Sequence, residues 1–190
     1  EALAELTHRT HIYAANTFMG KGALSARDEH CLYCVGLGAR DIVIQAFDEA
    51  DLVICAGYDM VEWHPERWNT GRPKRIVHID TQPAEVDQDY DPDVEIVGDI
   101  RVILEAINKG LGPQHAKGPS RFAALRARMT HELSAHDDDQ AFPMKPQKML
   151  SDLRQAMRDD DVLISDVGAH KMWVARHYPT YLPGTCLITN

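Results

Sequence analysis

Short apolar runs alternate with amphipathic segments along the first 111 residues. Four of the runs have the length of strands, and unbroken apolarity is typical of strands covered on both faces of a parallel sheet; these runs lie in 11–18, 51–57, 75–80 and 94–97. Helical spacing of apolar positions is found in three segments, 2–7, 40–50 and 100–111. Residues 19–38 contain many turn-forming residues, and 83–84 predict a short helix or turn.

The second part of the chain repeats this alternation after a stretch with linker composition, residues 112–119. One helix is predicted from the apolar positions Phe122, Leu125, Met129 and Leu133, and another from Met149, Leu150, Leu153 and Met157. Two strands are predicted over 162–165 and 185–189. Prolines at 143 and 146 mark the boundary between the two helices.

Strands that alternate with helices at this spacing predict an α/β fold with a mainly parallel sheet. We predict a parallel-sheet, nucleotide-binding-like α/β domain over residues 1–111 and a linker with one helix over 112–142. Residues 143–190 are predicted to be the beginning of a second α/β domain.

Composition and charge exclude several classes of protein. The chain has 190 residues, is 44% hydrophobic and 26% charged, and carries a formal net charge of −9. This acidic balance, without a basic stripe, argues against nucleic acid as a partner. No apolar run reaches the roughly 18–20 residues of a membrane span, and no signal peptide opens the chain. Because the first residue is Glu1 rather than Met, we expect residues to precede it.

The four cysteines favour a reduced cytosolic protein over a metalloprotein. Cys55 and Cys186 lie in apolar runs, where a free thiol behaves as a small hydrophobic side chain. Cys31 and Cys34 form a single C-x-x-C motif, whereas a zinc site needs further cysteines or histidines at suitable spacing. We therefore predict no metal site in the chain and a cytoplasmic location.

Glycine-bearing turns follow several of the predicted strands. In an open α/β sheet, ligands bind outside the carboxyl ends of the strands, and small residues there let the backbone approach a phosphate or ribose. The turns are Thr17–Gly20, Gly36–Gly38 and Gly57, and Asp80 ends a strand where a carboxylate could hold ribose hydroxyls. A dinucleotide site is one interpretation; the other is that these glycines serve only the turns, because the third glycine of G-x-G-x-x-G is absent.

A further glycine turn, at Gly168, lies between an apolar strand and a helix start. Backbone N–H groups point outward at such a position, and the helix dipole favours negative charge there. The turn therefore predicts an anion site.

Several segments together resemble the acetolactate synthase family of thiamine-diphosphate enzymes. The matching segments, in family order, are Phe18-Met-Gly-Lys-Gly-Ala23, Ala50–Asp59, Arg75-Ile-Val-His-Ile-Asp80 with Pro83-Ala-Glu85, Val94–Asp99, Lys145-Pro-Gln147 and Ser165–Trp173. The resemblance implies that residues 1–111 are most of the family's central domain and that residues from about 143 open the diphosphate-binding domain. It places the diphosphate of thiamine diphosphate against Val167, Gly168, Ala169 and His170; the family often has Gln at the position of Ala169.

The resemblance also implies FAD contacts in those relatives that keep this cofactor. By position these residues are Thr17, Phe18, Met19, Gly20, Gly36, Leu37, Gly38, Gly57, Asp80 and Asp99. Residues Tyr58-Asp-Met-Val-Glu62 depart from the arginine-containing turn of FAD-binding members and are closer to the catabolic, FAD-independent enzymes. FAD binding is therefore left open.

The activity that the resemblance implies is decarboxylation and carboligation of 2-oxo acids, with two pyruvate giving 2-acetolactate and CO2. It implies thiamine diphosphate and Mg²⁺ as cofactors, a role in branched-chain amino acid biosynthesis and a homo-oligomeric parent enzyme. The family's activating glutamate and its G-D-G…N metal motif have no counterpart in this sequence. We therefore expect no catalytic residue within residues 1–190 and no turnover by this polypeptide alone.

Two other functions fit the residues less closely. One is a non-catalytic module that binds FAD or ADP at the glycine turns. The other is a structural α/β domain that supports subunit contacts.

Overall fold

The computed structural model describes residues 1–38, 41–70, 74–112 and 121–189. In chain order the strands are β1 (Ala14–Asn16), β2 (Cys31–Cys34), β3 (Leu52–Ala56), β4 (Arg75–Asp80), β5 (Val94–Val97), β6 (Leu163–Ser165) and β7 (Cys186–Ile188). The helices are α1 (Ala2–Thr10), α2 (Ile44–Glu49), α3 (Glu66–Asn69), α4 (Ile100–Gly110), α5 (Arg121–Ser134), α6 (Pro146–Ala156) and α7 (Ala169–His177).

Two compact units are formed by segments that are not contiguous in the chain. The first unit contains Glu1–Ile12 and Val43–Gly118, and the second contains Tyr13–Ile42 and Pro119–Asn190. All strand pairs in the described residues are parallel, with the orders β3-β4-β5 in the first unit and β1-β2 and β6-β7 in the second. The predicted α/β class with parallel sheets is confirmed.

In the first unit, α1 and α4 cover one face of the three-stranded sheet. Their apolar side chains pack against Val77 and Ile79 of β4, and Leu6 and Leu104 are buried there. The helix α4 starts sharply because the Asp99 side chain accepts a hydrogen bond from the Val102 amide at 3.0 Å. The amphipathic spacing that predicted this helix therefore corresponds to a real packing face.

Side chains alternate between the two faces along β4, so His78 lies on the face opposite Ile79. Aromatic side chains pack on the same face as His78. The Trp68 ring centroid lies 5.8 Å from that of Phe47 and 6.3 Å from that of Tyr90. Tyr90 is 1% exposed, and its hydroxyl lies 2.9 Å from His78 Nδ1. A buried polar pair thus fixes the loop that follows β4.

The prediction of double coverage holds for β4 but is wrong for β3. Ile76 and Ile79 of β4 are fully buried, whereas Leu52 and Ile54 of β3 are each 38% exposed. The strand β3 pairs only with β4 in the described sheet, so it is an edge strand there. An apolar run predicts a strand but does not show whether both of its faces are covered.

The core of the second unit lies between the sheet segments and the helices α6 and α7. Its buried members are Phe18, Cys34, Leu150, Val174, Ala175, Tyr178, Cys186 and Ile188. Parallel β6 and β7 align Leu163 with Cys186 and Ser165 with Ile188, so their inward residues share one face. Among the described residues, no helix is long and apolar enough to cross a membrane.

Other local predictions need correction. The strand predicted over 11–18 is limited to β1, and the helix predicted over 40–50 begins only at Ile44. Residues 19–38 were described as rich in turn-forming residues and no strand was predicted by the periodicity there, but they contain β2. Residues 83–84 form no helix. Residues 39–40 and most of the predicted linker, 113–119, lie outside the described residues.

Candidate functional site

The turn between β6 and α7 requires a glycine at position 168. Gly168 has φ 146° and ψ 179°, a backbone conformation that residues with a Cβ rarely adopt. A Cβ built there would lie 2.8 Å and 2.9 Å from two atoms of the His170 ring. The ring therefore occupies the space that any other side chain would need.

The amides that follow this turn are available to a ligand. Gly168, Ala169 and His170 are exposed, and within the described part of the chain no acceptor is bonded to their backbone N–H groups. The Lys171 amide closes the first turn by donating to the Gly168 carbonyl at 3.1 Å. Unpaired first-turn amides and the positive end of the helix dipole together suit an anion.

The remaining diphosphate candidate, Val167, has a different environment. Its amide donates to Asp166 Oδ1 at 2.7 Å, so it is not free for a ligand. Its side chain is 56% exposed. The structure thus brings all four predicted residues together at one exposed turn, with three free amides and one apolar side chain beside them.

The opposite end of α7 is fixed by three polar contacts within the second unit. Lys21 Nζ donates to the Ala175 carbonyl at 2.8 Å, and Arg176 Nη2 donates to Asp41 Oδ1 at 2.7 Å. Arg154 Nη1 donates to the Tyr178 hydroxyl, also at 2.8 Å. The helix therefore has a buried, bonded C-terminal end and an exposed N-terminal end.

Sequence reasoning did not select the residues that hold the C-terminal end. Lys21 belongs to a segment that carries the family resemblance, but its partner is 154 positions away. Asp41 and Arg176 are separated by 135 positions. No local pattern predicts such a pair, although a lysine inside a family segment was an available signal.

A histidine near the same end stays neutral at physiological pH. Burial lowers the pKa of His177 to about 4, and the positive charges of Arg176, His136 and Lys21 act in the same direction. Its ring lies 5.6 Å from that of Trp173. His177 Nδ1 is buried and has no hydrogen-bond partner among the residues that the structure describes.

Three of the nucleotide candidates lie at one edge of the first unit's sheet. Gly57 follows β3, Asp80 ends β4 and Asp99 follows β5, and backbone hydrogen bonds join the loops at this edge. Both carboxylates already bind backbone: Asp80 Oδ1 accepts from the amides of Thr81 and Gln82, and Asp99 Oδ1 caps α4. A Cβ at Gly57 would lie 3.1 Å from a methyl group of Ile100, so the Ile100 side chain at the start of α4 occupies the space beside this glycine.

The other nucleotide candidates belong to the second unit. Phe18 is 6% exposed and part of the core, and Leu37 packs against the same core. Met19 is 49% exposed. Gly20 lies beside Thr17, and the Gly20 carbonyl accepts a hydrogen bond from the Ala23 amide. Gly36 and Gly38 have φ values of 90° and 117°, which explains a glycine at each position without a ligand.

All four cysteines are free and buried. Burial raises the pKa of Cys34 and of Cys55 to about 12. Cys31 and Cys34 are both buried in β2, so the C-x-x-C pair contributes to packing there.

Comparison with known proteins identifies the family to which the chain belongs. Residues 1–107 match the family model described as the central domain of thiamine pyrophosphate enzymes. The chain belongs to the thiamine pyrophosphate enzyme family. This family member also matches characterised acetolactate synthases along most of its length, so the resemblance seen in its sequence segments is confirmed.

Three relatives illustrate the similarity. The acetolactate synthase of Bacillus subtilis is 28% identical over 203 residues, covering 100% of the chain and 34% of the relative. The catabolic acetolactate synthase of Raoultella terrigena is 32% identical over 145 residues, covering 75% and 26%. A chloroplastic acetolactate synthase of Nicotiana tabacum is 31% identical over 186 residues, covering 94% and 27%. The chain thus spans about a third or less of the length of these relatives.

Proposed function

We propose that the chain is part of a thiamine-diphosphate-dependent 2-oxo acid carboligase that converts two pyruvate molecules into 2-acetolactate and CO2. The observation that carries the proposal is the set of free amides at Gly168, Ala169 and His170, in a member of the thiamine pyrophosphate enzyme family. The names of the matched relatives support acetolactate as the product.

The chain's own residues would hold the cofactor by its diphosphate. The three amides would donate to the anionic oxygens, and the dipole of α7 would favour their negative charge. The exposed Val167 side chain would supply an apolar contact beside them. When bound, thiamine diphosphate supplies the electron sink for loss of CO2 from a 2-oxo acid. We propose Mg²⁺ as the partner of the diphosphate, with its protein ligands supplied by another part of the complete enzyme.

The proposed organisation follows the family. Residues 1–111 would be central domain, residues 112–142 a linker with one helix, and residues 143–190 the start of the diphosphate-binding domain. We further propose that the enzyme is a cytoplasmic homo-oligomer of branched-chain amino acid biosynthesis or of a related catabolic route. Its substrate would be a small 2-oxo acid.

Flavin binding receives less support from the same structure. Asp80 and Asp99 each use one carboxylate oxygen, Oδ1, to accept from backbone amides, and Phe18 lies in the core. An FAD- or ADP-binding module and a purely structural domain are the competing functions. A purely structural domain does not account for the free amides of 168–170, whereas a nucleotide diphosphate would also suit them, so the family match is what favours thiamine diphosphate.

Titration calorimetry of the complete enzyme that carries this chain tests the proposal. Thiamine diphosphate with Mg²⁺ is expected to bind saturably, whereas thiamine, which lacks the diphosphate, is expected to bind at least about tenfold more weakly. Acetolactate should then form from pyruvate. Saturable binding of FAD or ADP without any binding of thiamine diphosphate would replace the proposal by the nucleotide module.

A further inference from the structure

Lys21 carries a buried charge whose bond is made to backbone. The residue is 6% exposed, and its Nζ donates to the Ala175 carbonyl at 2.8 Å. Within the described ranges no carboxylate forms an ion pair with it. Burying an ammonium group is unfavourable unless its hydrogen bonds offset the lost hydration. The position is therefore unlike that of a surface lysine.

The carbonyl that Lys21 binds is one that the helix itself leaves unpaired. The last four carbonyls of an α-helix lack intrahelical donors; in α7 the Tyr178 amide bonds to Val174, and Ala175 is next along the chain. Ala175 is 0% exposed, so water does not reach its surroundings freely. A cation at this negative end of the helix both satisfies the carbonyl and complements the helix dipole.

The same helix begins with the amides assigned to the diphosphate. It has nine residues, a length at which an isolated helix is marginal in water, so its placement depends on tertiary contacts. The rise from His170 to Ala175 is about 7.5 Å at 1.5 Å per residue. Because the helical segment between these residues is short, fixing Ala175 along the helix axis also fixes the position of the N-terminal amides of α7.

The other two contacts at this end are made through side chains. The Arg176 guanidinium donates a hydrogen bond to Asp41, and the Tyr178 hydroxyl accepts one from Arg154. On the helix side, both contacts end on a side chain, whose rotation lets the backbone of α7 shift. The Lys21 contact ends on a backbone carbonyl of α7, so on the helix side no rotatable side-chain bond lies between this contact and the helix axis.

We propose that Lys21 is a positioning residue for cofactor binding: by capping the buried end of α7 it holds the free amides of 168–170 in the place where the diphosphate binds. This inference rests on the proposed thiamine-diphosphate site. It assigns to Lys21 no contact with the cofactor or the substrate.

The test compares Lys21→Met with Lys148→Met in the complete enzyme. Methionine retains most of the side-chain volume and removes the donor. Lys148 lies in α6, where it pairs with Asp152 at 2.6 Å, and serves as the matched lysine control. Lys21→Arg keeps the charge with an altered reach and serves as the conservative variant. The readouts are half-saturation by thiamine diphosphate, kcat and pyruvate KM at saturating cofactor, and hydrogen exchange of 169–177 without cofactor.

Lys21→Met is expected to raise the half-saturating concentration of thiamine diphosphate about tenfold, corresponding to about 1.4 kcal/mol. Pyruvate KM at saturating cofactor should stay within about threefold of wild type, since a positioning effect on the cofactor leaves substrate contacts intact. Amides of 169–177 should exchange faster in the cofactor-free variant. Lys21→Arg should lie between Lys21→Met and wild type, and Lys148→Met should match wild type.

An unchanged half-saturation in folded Lys21→Met overturns the role of Lys21 and leaves the proposed function intact. If wild type itself shows no saturable binding of thiamine diphosphate, the proposed function and this inference fail together. Should Lys21→Met not yield folded enzyme, Lys21→Gln replaces it with the same expectation, and an unchanged half-saturation again overturns the proposal. Circular dichroism and thermal unfolding establish folding in each case.

Discussion

Arg176 on α7 and Asp41 form an ion pair across 135 positions of sequence, with 2.7 Å between Nη2 and Oδ1. The Asp41 side chain is 1% exposed and that of Arg176 is 16% exposed. Water therefore does little to screen the two charges, and the pair contributes to compensating both of them in the protein interior. The pair connects the residues after the Gly36–Gly38 turn to the helix that bears the proposed cofactor site.

Replacing Asp41 by Asn should destabilise the protein by about 3 kcal/mol, because the largely buried Arg176 then keeps only the half-exposed Glu132 carboxylate, 4.0 Å away, of its two described ion-pair partners. Urea unfolding followed by circular dichroism measures the change. The same substitution at Asp159 is the matched control: its partner is Arg27, and the two side chains are 46% and 60% exposed. Asp159→Asn should cost less than about 1 kcal/mol. Equal costs at the two sites would contradict the importance of burial.

Replacing Gly168 by Ala should weaken binding of thiamine diphosphate by at least about tenfold, a loss of about 1.4 kcal/mol. The φ of 146° at this position is one that a residue with a Cβ rarely adopts, so the turn must change and the free amides with it; the Cβ would also meet the His170 ring below 3 Å. Calorimetry with thiamine diphosphate measures the loss. Gly110→Ala is the control, because nothing lies within 4 Å of a Cβ at the end of α4. Wild-type affinity in Gly168→Ala would remove this turn from the site.

Acidification below the ordinary histidine pKa should destabilise the protein partly through His177. Burial, with the help of nearby positive charges, lowers the pKa of this group to about 4 in the folded state. Between about pH 6.5 and pH 4 the unfolded chain therefore binds a proton that the folded protein does not, so the free energy of unfolding falls as pH falls. The contribution is fully present above about pH 6.5.

His177→Phe tests this contribution by removing the titrating group while keeping a ring beside Trp173. The variant should lose less stability than wild type between pH 6.5 and pH 5, by roughly 1 kcal/mol after allowing for partial exposure. Urea unfolding at several pH values gives the comparison. His131→Gln, which changes an exposed histidine on α5, should leave the wild-type dependence unaltered. Parallel curves for His177→Phe and wild type would refute the assignment.

Replacing Tyr90 by Phe should cost about 2 kcal/mol, because it leaves a buried ring nitrogen of His78 without its partner. The hydroxyl lies 2.9 Å from His78 Nδ1, and His78 is 4% exposed. Tyr33→Phe is the control, since the Tyr33 hydroxyl makes its 2.8 Å contact with Thr130 in an exposed position. Denaturant unfolding should show a loss of less than about 1 kcal/mol for Tyr33→Phe. A loss at Tyr90 no larger than at Tyr33 would contradict the prediction.

Local sequence patterns predicted strands and helices correctly where the apolar positions of the pattern are also the residues that pack in the core. The run around β4 and the spacing in α4 predicted elements whose apolar residues are buried, because one sequence period describes both the element and its contact face. The pattern failed at β2, where Cys31–Cys34 is short and lies among turn residues. It also failed to show that β3 has one neighbour in the described sheet, since pairing depends on residues distant in sequence.

The candidate site divides in the same way. Its amide donors are backbone groups, so a strand, a glycine and a helix start were enough to predict them from the sequence. The availability of a side chain for a ligand was not predictable: Phe18 proved to be core, and Asp99 proved to be a helix cap.

The sequence by itself determined the α/β class, the principal strands and helices, the family, and the glycine turn at 168, because each depends on residues that are close together in the chain. Only the tertiary structure decided that residues 13–42 pack with the C-terminal residues, and that Lys21 and Asp41 hold α7. The contacts of Lys21 and Asp41 join positions more than a hundred residues apart. Their strength depends on burial, which only the folded chain creates.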